Sequence, residues 1–420
     1  MLTQVVGEAP LPTDDFFLAR QPILGRNQRL VAFELLFRSA DSPEANVVDH
    51  AAATAAVIAH ASQLGMQRVV GERLAFVNVD EIVLMSDFVR FLPHDKVILE
   101  ILETVSATPE VVARVIELRS FGFKFALDDV VAASDDVRAF LDLVDIIKID
   151  IQATPRAALA ALVAEFKSPG KKLLAEKVET VEEYQICMEL GFEYFQGYYF
   201  ARPAVLSGKK IAPSELVILS LLQLINSDAG NREIEAAVKR DALISLNLLR
   251  LVNTPAAGAR RHINTLAEAL VLLGRDQLQR WLQILLYATP GAAVEFNSPL
   301  LQMATTRGKL MELMMRKMPQ HLGAGSPDAG FSVGIMSLMD ALFSMSMEDI
   351  LQTVIAAPDV RQALLERTGV LGEMLKVVEL LENPKRGSQL GKSLKSLGLT
   401  VKEVREIEIE AFSWVNELVS

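Results

Sequence analysis

In the first half of the chain, polar side chains recur at the ends of short apolar runs. Glu34 interrupts the apolar run LVAFELLFR, with Arg38 four places on. Asn78 ends LAFVNVD, and Glu100 and Glu103 lie in KVILEILE. Asp128 and Asp129 follow in FKFALDDV, Lys148 and Asp150 in VDIIKID, Glu176 and Glu179 in KLLAEKVE, and Gln196 in FEYFQGYYF. Carboxylates with an asparagine, and no histidine or cysteine among them, form a hard oxygen set suited to Mg²⁺ or Mn²⁺. Two such ions can flank a phosphodiester. Adjacent ionised aspartates repel, so Asp128 and Asp129 call for a cation or a donor nearby. An ammonium inside an apolar run is costly unless it faces a polar cavity, which points Lys148 inward. Taken singly, each carboxylate reads as a helix N-cap or a surface ion pair; only the set points to a site.

Positioning such a set requires elements that alternate. From about residue 14 to 203, apolar runs of strand length alternate with helical stretches such as AAATAAVIAHASQLG, PEVVARVIELRSFG and PRAALAALVAEFK, whose apolar residues recur at three and four. That alternation predicts a mainly parallel sheet with helices outside it. The polar strand ends are mostly some twenty to thirty residues apart, about one βα unit each. In a closed barrel of this kind the C-terminal strand ends meet at one face, which would gather the set.

After FARPAVLSGKKIAPSE the strand signals stop. SELVILSLLQLIN carries an apolar face, and RDALISLNLLRLVNTP places Ile244, Leu248, Leu251 and Val252 on one side. NTLAEALVLLG opens with the capping-box pair Thr265 and Glu268 and predicts a helix closed by Gly274. The pattern continues to VKEVREIEIEAFSWVNELVS, so this half is all-α. Nine methionines between Met303 and Met347 read as helix core ahead of an adaptable binding surface, and Trp281 and Trp414 read as core or interface.

Composition bounds the rest. A chain of 420 residues suits two domains with real cores. No run of eighteen uninterrupted apolar residues appears, and the N-terminus lacks the basic and apolar regions of a secretion signal, so the expectation is a soluble cytoplasmic protein. The lone Cys187 agrees with a reducing compartment and reads as a buried apolar group. A net charge of -11 argues against nucleic acid as the main partner. His94-Asp95 in LPHDKVILE reads as a turn.

The motifs ELLFR, VNVD, EILET, LDD, DIIKID, AEKVET and FQGYYFARP, in this order, resemble the EAL domains, bacterial phosphodiesterases that cut cyclic di-GMP to a linear dinucleotide. The resemblance implies metal ligands at Glu34, Asn78, Glu100, Asp128 and Asp129 for Mg²⁺ or Mn²⁺. It places Glu176 and Gln196 in the supporting water and metal network, Lys148 beside the attacking water and Arg38 on a substrate phosphate. Three stretches depart from active members. DDVVAASDD replaces a loop of the form DFGTGYSS, SADSPEANVVDH replaces a proline-containing substrate loop, and AEKVE replaces AEGVE, placing Lys177 beside Glu176. Lys177 either neutralises the carboxylates or faces outward. RDALISLNLLRLVN, INTLAEALVLLG and FSVGIMSLMDALFSM resemble the HDOD domain, a relative of HD-type phosphohydrolases without their metal site. The only histidines of this half, His262 and His321, are not followed by aspartate, so no metal is expected there.

Both halves together resemble the degenerate EAL proteins of the YuxH type. The expectation is an N-terminal extension over 1–15, an α/β TIM-like (EAL-type) barrel over 16–203, a linker over 204–214 and an all-α (HDOD-type) domain over 215–420. The implied function is signalling without hydrolysis, through protein partners or cyclic di-GMP as ligand, with a homodimer as candidate assembly. The alternative is an active phosphodiesterase giving linear pGpG.

Overall fold

A computed structural model describes residues 16–39, 66–168, 170–200 and 213–419, apart from 228, 240–243, 246–247, 250–251, 254–262, 264, 288–297, 319–325, 354–355 and 383–386. The helix expected over AAATAAVIAHASQLG lies outside these residues, as do Leu251, His262 and His321.

Eight strands close into a barrel in sequence order: β1 (Phe16–Gly25), β2 (Leu30–Ser39), β3 (Leu74–Val79), β4 (Val97–Ile101), β5 (Lys124–Val130), β6 (Ile146–Asp150), β7 (Lys172–Glu176) and β8 (Tyr194–Gln196). Pairing is parallel from β2 through β8, while β1 runs antiparallel to both neighbours. Helices α1 (Met66–Val70), α2 (Glu81–Met85), α3 (Pro109–Ser120), α4 (Asp135–Phe140), α5 (Arg156–Phe166) and α6 (Val181–Leu190) lie between the later strands. Their starts follow from local chemistry. Thr108 caps α3 ahead of Pro109, and Thr180 with Glu183 forms a capping box on α6, which Gly191 closes at φ 99. His94 and Asp95 lie in a turn before β4.

Side chains alternate along each strand, so every second residue faces the barrel interior. Ala32, Phe76, Ile98, Ala126, Ile146 and Leu174 pack together there with Ile23, forming the floor of the barrel. Each of the first six stands two residues before Glu34, Asn78, Glu100, Asp128, Lys148 or Glu176, and the same parity lifts those polar groups into the next layer, at the mouth.

The second half is helical throughout its described residues: α7 (Pro213–Asn226), α8 (Asn231–Val238), α9 (Leu266–Leu285), α10 (Pro299–Lys317), α11 (Pro327–Met336), α12 (Met339–Phe343), α13 (Met347–Thr353), α14 (Pro358–Glu366), α15 (Gly369–Glu382), α16 (Gly387–Ser396) and α17 (Val401–Val419). Thr265 caps α9 as expected. Gly274 does not end the helical run: it breaks it at φ 67, and helix resumes directly to Leu285. Met311, Met314, Met339 and Trp281 are core, and Trp281 stacks with Trp414. Glu312 is fully buried, a position tolerated because Arg280 and Lys309 approach it at 3.1 and 3.2 Å and Arg316 adds a third cation.

β1 and β2 are joined by a four-residue turn, which leaves their outer face without a crossover helix. The helical half covers it. Arg20 on β1 lies between the rings of Phe33 on β2 and Phe412 on α17, 4.4 and 4.0 Å from their centroids. It donates to the Val69 carbonyl at 2.8 Å, and Asn416 donates to the Arg68 carbonyl at 3.0 Å. The Tyr198 hydroxyl, just past β8, donates to the carbonyl of Glu382, whose carboxylate Arg307 grips at 2.8 and 2.6 Å. Phe33 in this seam and Glu34 in the barrel are consecutive residues of one strand.

Candidate functional site

At the barrel mouth the polar layer converges on one ammonium. Lys148 Nζ lies 2.7 Å from Glu100, 2.7 Å from Asp128, 2.9 Å from Glu176 and 3.5 Å from Glu34. Lys148 and Glu100 have no exposed surface. Glu34 is further held from both sides: Asn78 donates to its Oε1 at 3.1 Å and Gln196 to its Oε2 at 2.5 Å. Strands β2 to β8 therefore bring Glu34, Asn78, Glu100, Asp128, Lys148, Glu176 and Gln196 into one cluster. Arg38 lies on β2, with its side chain outside the described residues. Glu103 and Glu179 are exposed beyond their strands and stay out of the cluster.

Asp129 is the departure. The pairing of β5 with β6 shifts between Leu127 and Val130, a bulge whose residue Asp129 holds φ 46. The bulge sends consecutive aspartates to different partners: Asp128 joins Lys148, and Asp129 takes the ammonium of Lys177 at 3.0 Å. Lys177 thus faces carboxylates and not solvent alone, bridging Asp129 to Asp150. Asp150 was readable in the sequence only as one more strand-end carboxylate; its role appears once the helix-like turn after β6 folds its oxygen onto the N–H groups of Gln152 and Ala153.

Burial sets the protonation. It pushes the Glu176 carboxyl up to about 8 and the Glu100 carboxyl well above its ordinary range, against the pull of Lys148. For Lys148 burial acts the other way, and Asp128, Glu100, Glu176 and Glu34 together outweigh it, holding the ammonium charged well above its ordinary value. Burial also pushes the Cys187 thiol up to about 12, which keeps it inert.

The raised Glu176 makes a testable contribution. Its folded form binds the proton more tightly than the unfolded one, so stability present below the ordinary value of 4.5 is lost as pH rises through about 8. Wild type is expected to lose roughly 2–4 kcal/mol of unfolding free energy between pH 5 and 8.5 from this group. Glu176→Gln should show a distinctly smaller fall in urea melts at the two pH values. Parallel falls in both proteins would contradict the assignment.

Whether the cluster suits a divalent ion can be judged from its oxygens. Glu100 Oε2, Glu176 Oε2 and Gln196 Oε1 are buried without hydrogen-bond partners among the described residues, and hard acceptors of this kind are what Mg²⁺ or Mn²⁺ would satisfy. Their disposition does not match: among the described residues no three His, Cys, Asp or Glu side chains stand as an ion cage. The place where the carboxylates converge is held by Lys148.

Comparison with known proteins agrees with this architecture. The EAL domain model matches residues 8–203 and the HDOD domain model residues 212–347. YuxH of Bacillus subtilis (strain 168) is 29% identical over 412 residues, covering 96% of this chain and 98% of that protein. The cyclic di-GMP phosphodiesterase CdgJ of Vibrio cholerae serotype O1 is 30% identical over 410 residues, covering 96% of this chain and 93% of its own. Among solved structures, the manganese/cy-diGMP complex of Klebsiella pneumoniae BlrP1 at pH 9.0 aligns with 25% identity and a TM-score of 0.37, over 46% of this chain and 57% of that one. Among the described residues no helix is long and apolar enough to cross a membrane. With both domain models in order and a relative at 30% identity along nearly its whole length, the chain belongs to the family of EAL–HDOD signalling proteins, which includes a cyclic di-GMP phosphodiesterase.

Proposed function

We propose that this chain is a signalling protein whose barrel binds cyclic di-GMP without hydrolysing it and passes the bound state to its helical half. The observation that carries this reading is the Lys148 ammonium seated among Glu34, Glu100, Asp128 and Glu176. An ammonium at that point supplies counter-charge and stands where the carboxylates converge. The altered loops lean the same way. Glycine is absent from DDVVAASDD, so the backbone after Asp129 cannot take the conformations that the glycines of DFGTGYSS allow. Relay to the helical half has a short physical route, since Glu34 and the interdomain Phe33 move with the same strand.

The second reading, an active phosphodiesterase giving linear pGpG, draws on the gathering of Glu34, Asn78, Glu100, Asp128, Glu176 and Gln196 in one cluster. A single assay separates the two. Full-length protein with Mn²⁺ and cyclic di-GMP is followed for ligand binding by calorimetry and for product by chromatography. Binding without linear dinucleotide is expected. Turnover that Glu34→Ala abolishes would overturn the non-hydrolytic reading.

A further inference from the structure

Lys177 directly follows Glu176 and holds φ 58, a left-handed conformation that costs a side chain about 1 kcal/mol or more. Such a position persists when its surroundings over-determine it, and here they do. The ammonium is anchored on Asp150, whose other oxygen accepts the N–H of Gln152 at 2.7 Å and of Ala153 at 3.0 Å. From that anchor it reaches Asp129 at 3.0 Å. The Lys177 carbonyl accepts from the Gln152 side chain at 3.2 Å, and the same amide donates to Glu183 at 2.8 Å, so the segment is pinned from below as well. Asp129, at φ 46, is a second left-handed residue that is not glycine, on another strand end, and the ion pair joins the two. Each of the adjacent aspartates thereby owns a separate ammonium: Asp128 that of Lys148, Asp129 that of Lys177.

We propose that Lys177 is a tethered cation standing where Asp129 would otherwise meet a divalent ion, and that it is one reason why the barrel mouth as built does not suit such an ion. An ion that uses Asp129 must first displace an ammonium that Asp150 retains. Displacement leaves two like charges close together in a partly buried site, where repulsion of this kind is worth about a factor of ten in affinity. The inference rests on the reading of the barrel mouth given above, yet it concerns ion binding and not chemistry, so the two can fail separately.

The test is a Mn²⁺ titration of the full-length chain, with free Mn²⁺ read by electron paramagnetic resonance. Lys177→Gly places at φ 58 the residue that tolerates it, and Lys177→Met keeps the alkyl chain while removing the charge. Both are expected to bind one Mn²⁺ per chain beyond whatever wild type binds, or to bind Mn²⁺ at least tenfold more tightly than wild type. Adding Asp129→Asn to Lys177→Gly should erase the gain. If either folded single variant matches wild type in stoichiometry, and in affinity within twofold, the pair is structural and the proposal fails. Hydrolysis of cyclic di-GMP by wild type would overturn the proposed function and leave this titration unaffected.

Discussion

Replacing Lys148 with methionine is expected to cost about 3–5 kcal/mol of stability at neutral pH, the range for removing one partner from a buried ion cluster. Methionine keeps most of the alkyl volume, so the loss would report charge and not a cavity. Without the ammonium, Glu34, Glu100, Asp128 and Glu176 face one another in a site where Lys148 and Glu100 are fully buried. Glu100 and Glu176, which burial already pushes toward their neutral forms, relieve that repulsion by taking protons. The penalty should therefore shrink as pH falls from 7.5 to 5. Mn²⁺ at millimolar concentration should restore part of the loss, since an ion that binds only the folded state stabilises it by mass action. Urea melts at both pH values, with and without Mn²⁺, give the answer. A Lys148→Met protein within 1 kcal/mol of wild type at neutral pH would mean that the cluster does not depend on the lysine, and the proposed function would lose its main support.

Gly197→Ala should be nearly as damaging for a different reason. Gly197 follows Gln196 at φ 148, and a Cβ there would stand 2.0 Å from the Val178 carbonyl oxygen and 2.5 Å from its nitrogen. These are backbone atoms that cannot swing aside. The same segment carries the hydrogen bonds from Val178 N–H to the Gln196 carbonyl at 2.9 Å and from Tyr199 N–H to the Val178 carbonyl at 3.2 Å. Relieving the overlap would part the chain after β8 from the chain after β7, displacing Gln196 from Glu34. A loss of about 3 kcal/mol or more is expected, beyond the usual range of point substitutions. Gly170→Ala is the control: its φ is 88, but nothing lies within 4 Å of its Cβ position, so only the conformational cost of about 1–2 kcal/mol applies. Equal losses in the two variants would show that the close approach at Val178 carries no weight.

These two cases mark how much can be read from one dimension. Strand parity is local: a polar residue two places beyond an inward apolar one must rise into the next layer, so Glu34, Asn78, Glu100, Asp128, Lys148 and Glu176 could be gathered from the amino-acid order alone. Helix caps at Thr108, Thr180 and Thr265 were equally local, each hydroxyl accepting an N–H three residues on. The change from alternating elements to helix alone followed from periodicity. Gly274 shows the limit of such rules, because a glycine that can close a helix can also serve as the hinge between two.

What the sequence determined by itself was which side chains share the barrel interior, because the two-residue period of a strand leaves no choice. Which charge meets which was decided only by the tertiary structure. Lys177 could neutralise or face outward, and the bulge at Asp129 and the anchor at Asp150 chose for it. The reversed β1, and the seating of Phe412 and Asn416 against its uncovered face, likewise depend on surfaces far apart in the chain. Periodicity is a property of neighbours in sequence, whereas an ion pair or a domain seam is settled by distance, burial and competition among all partners within reach.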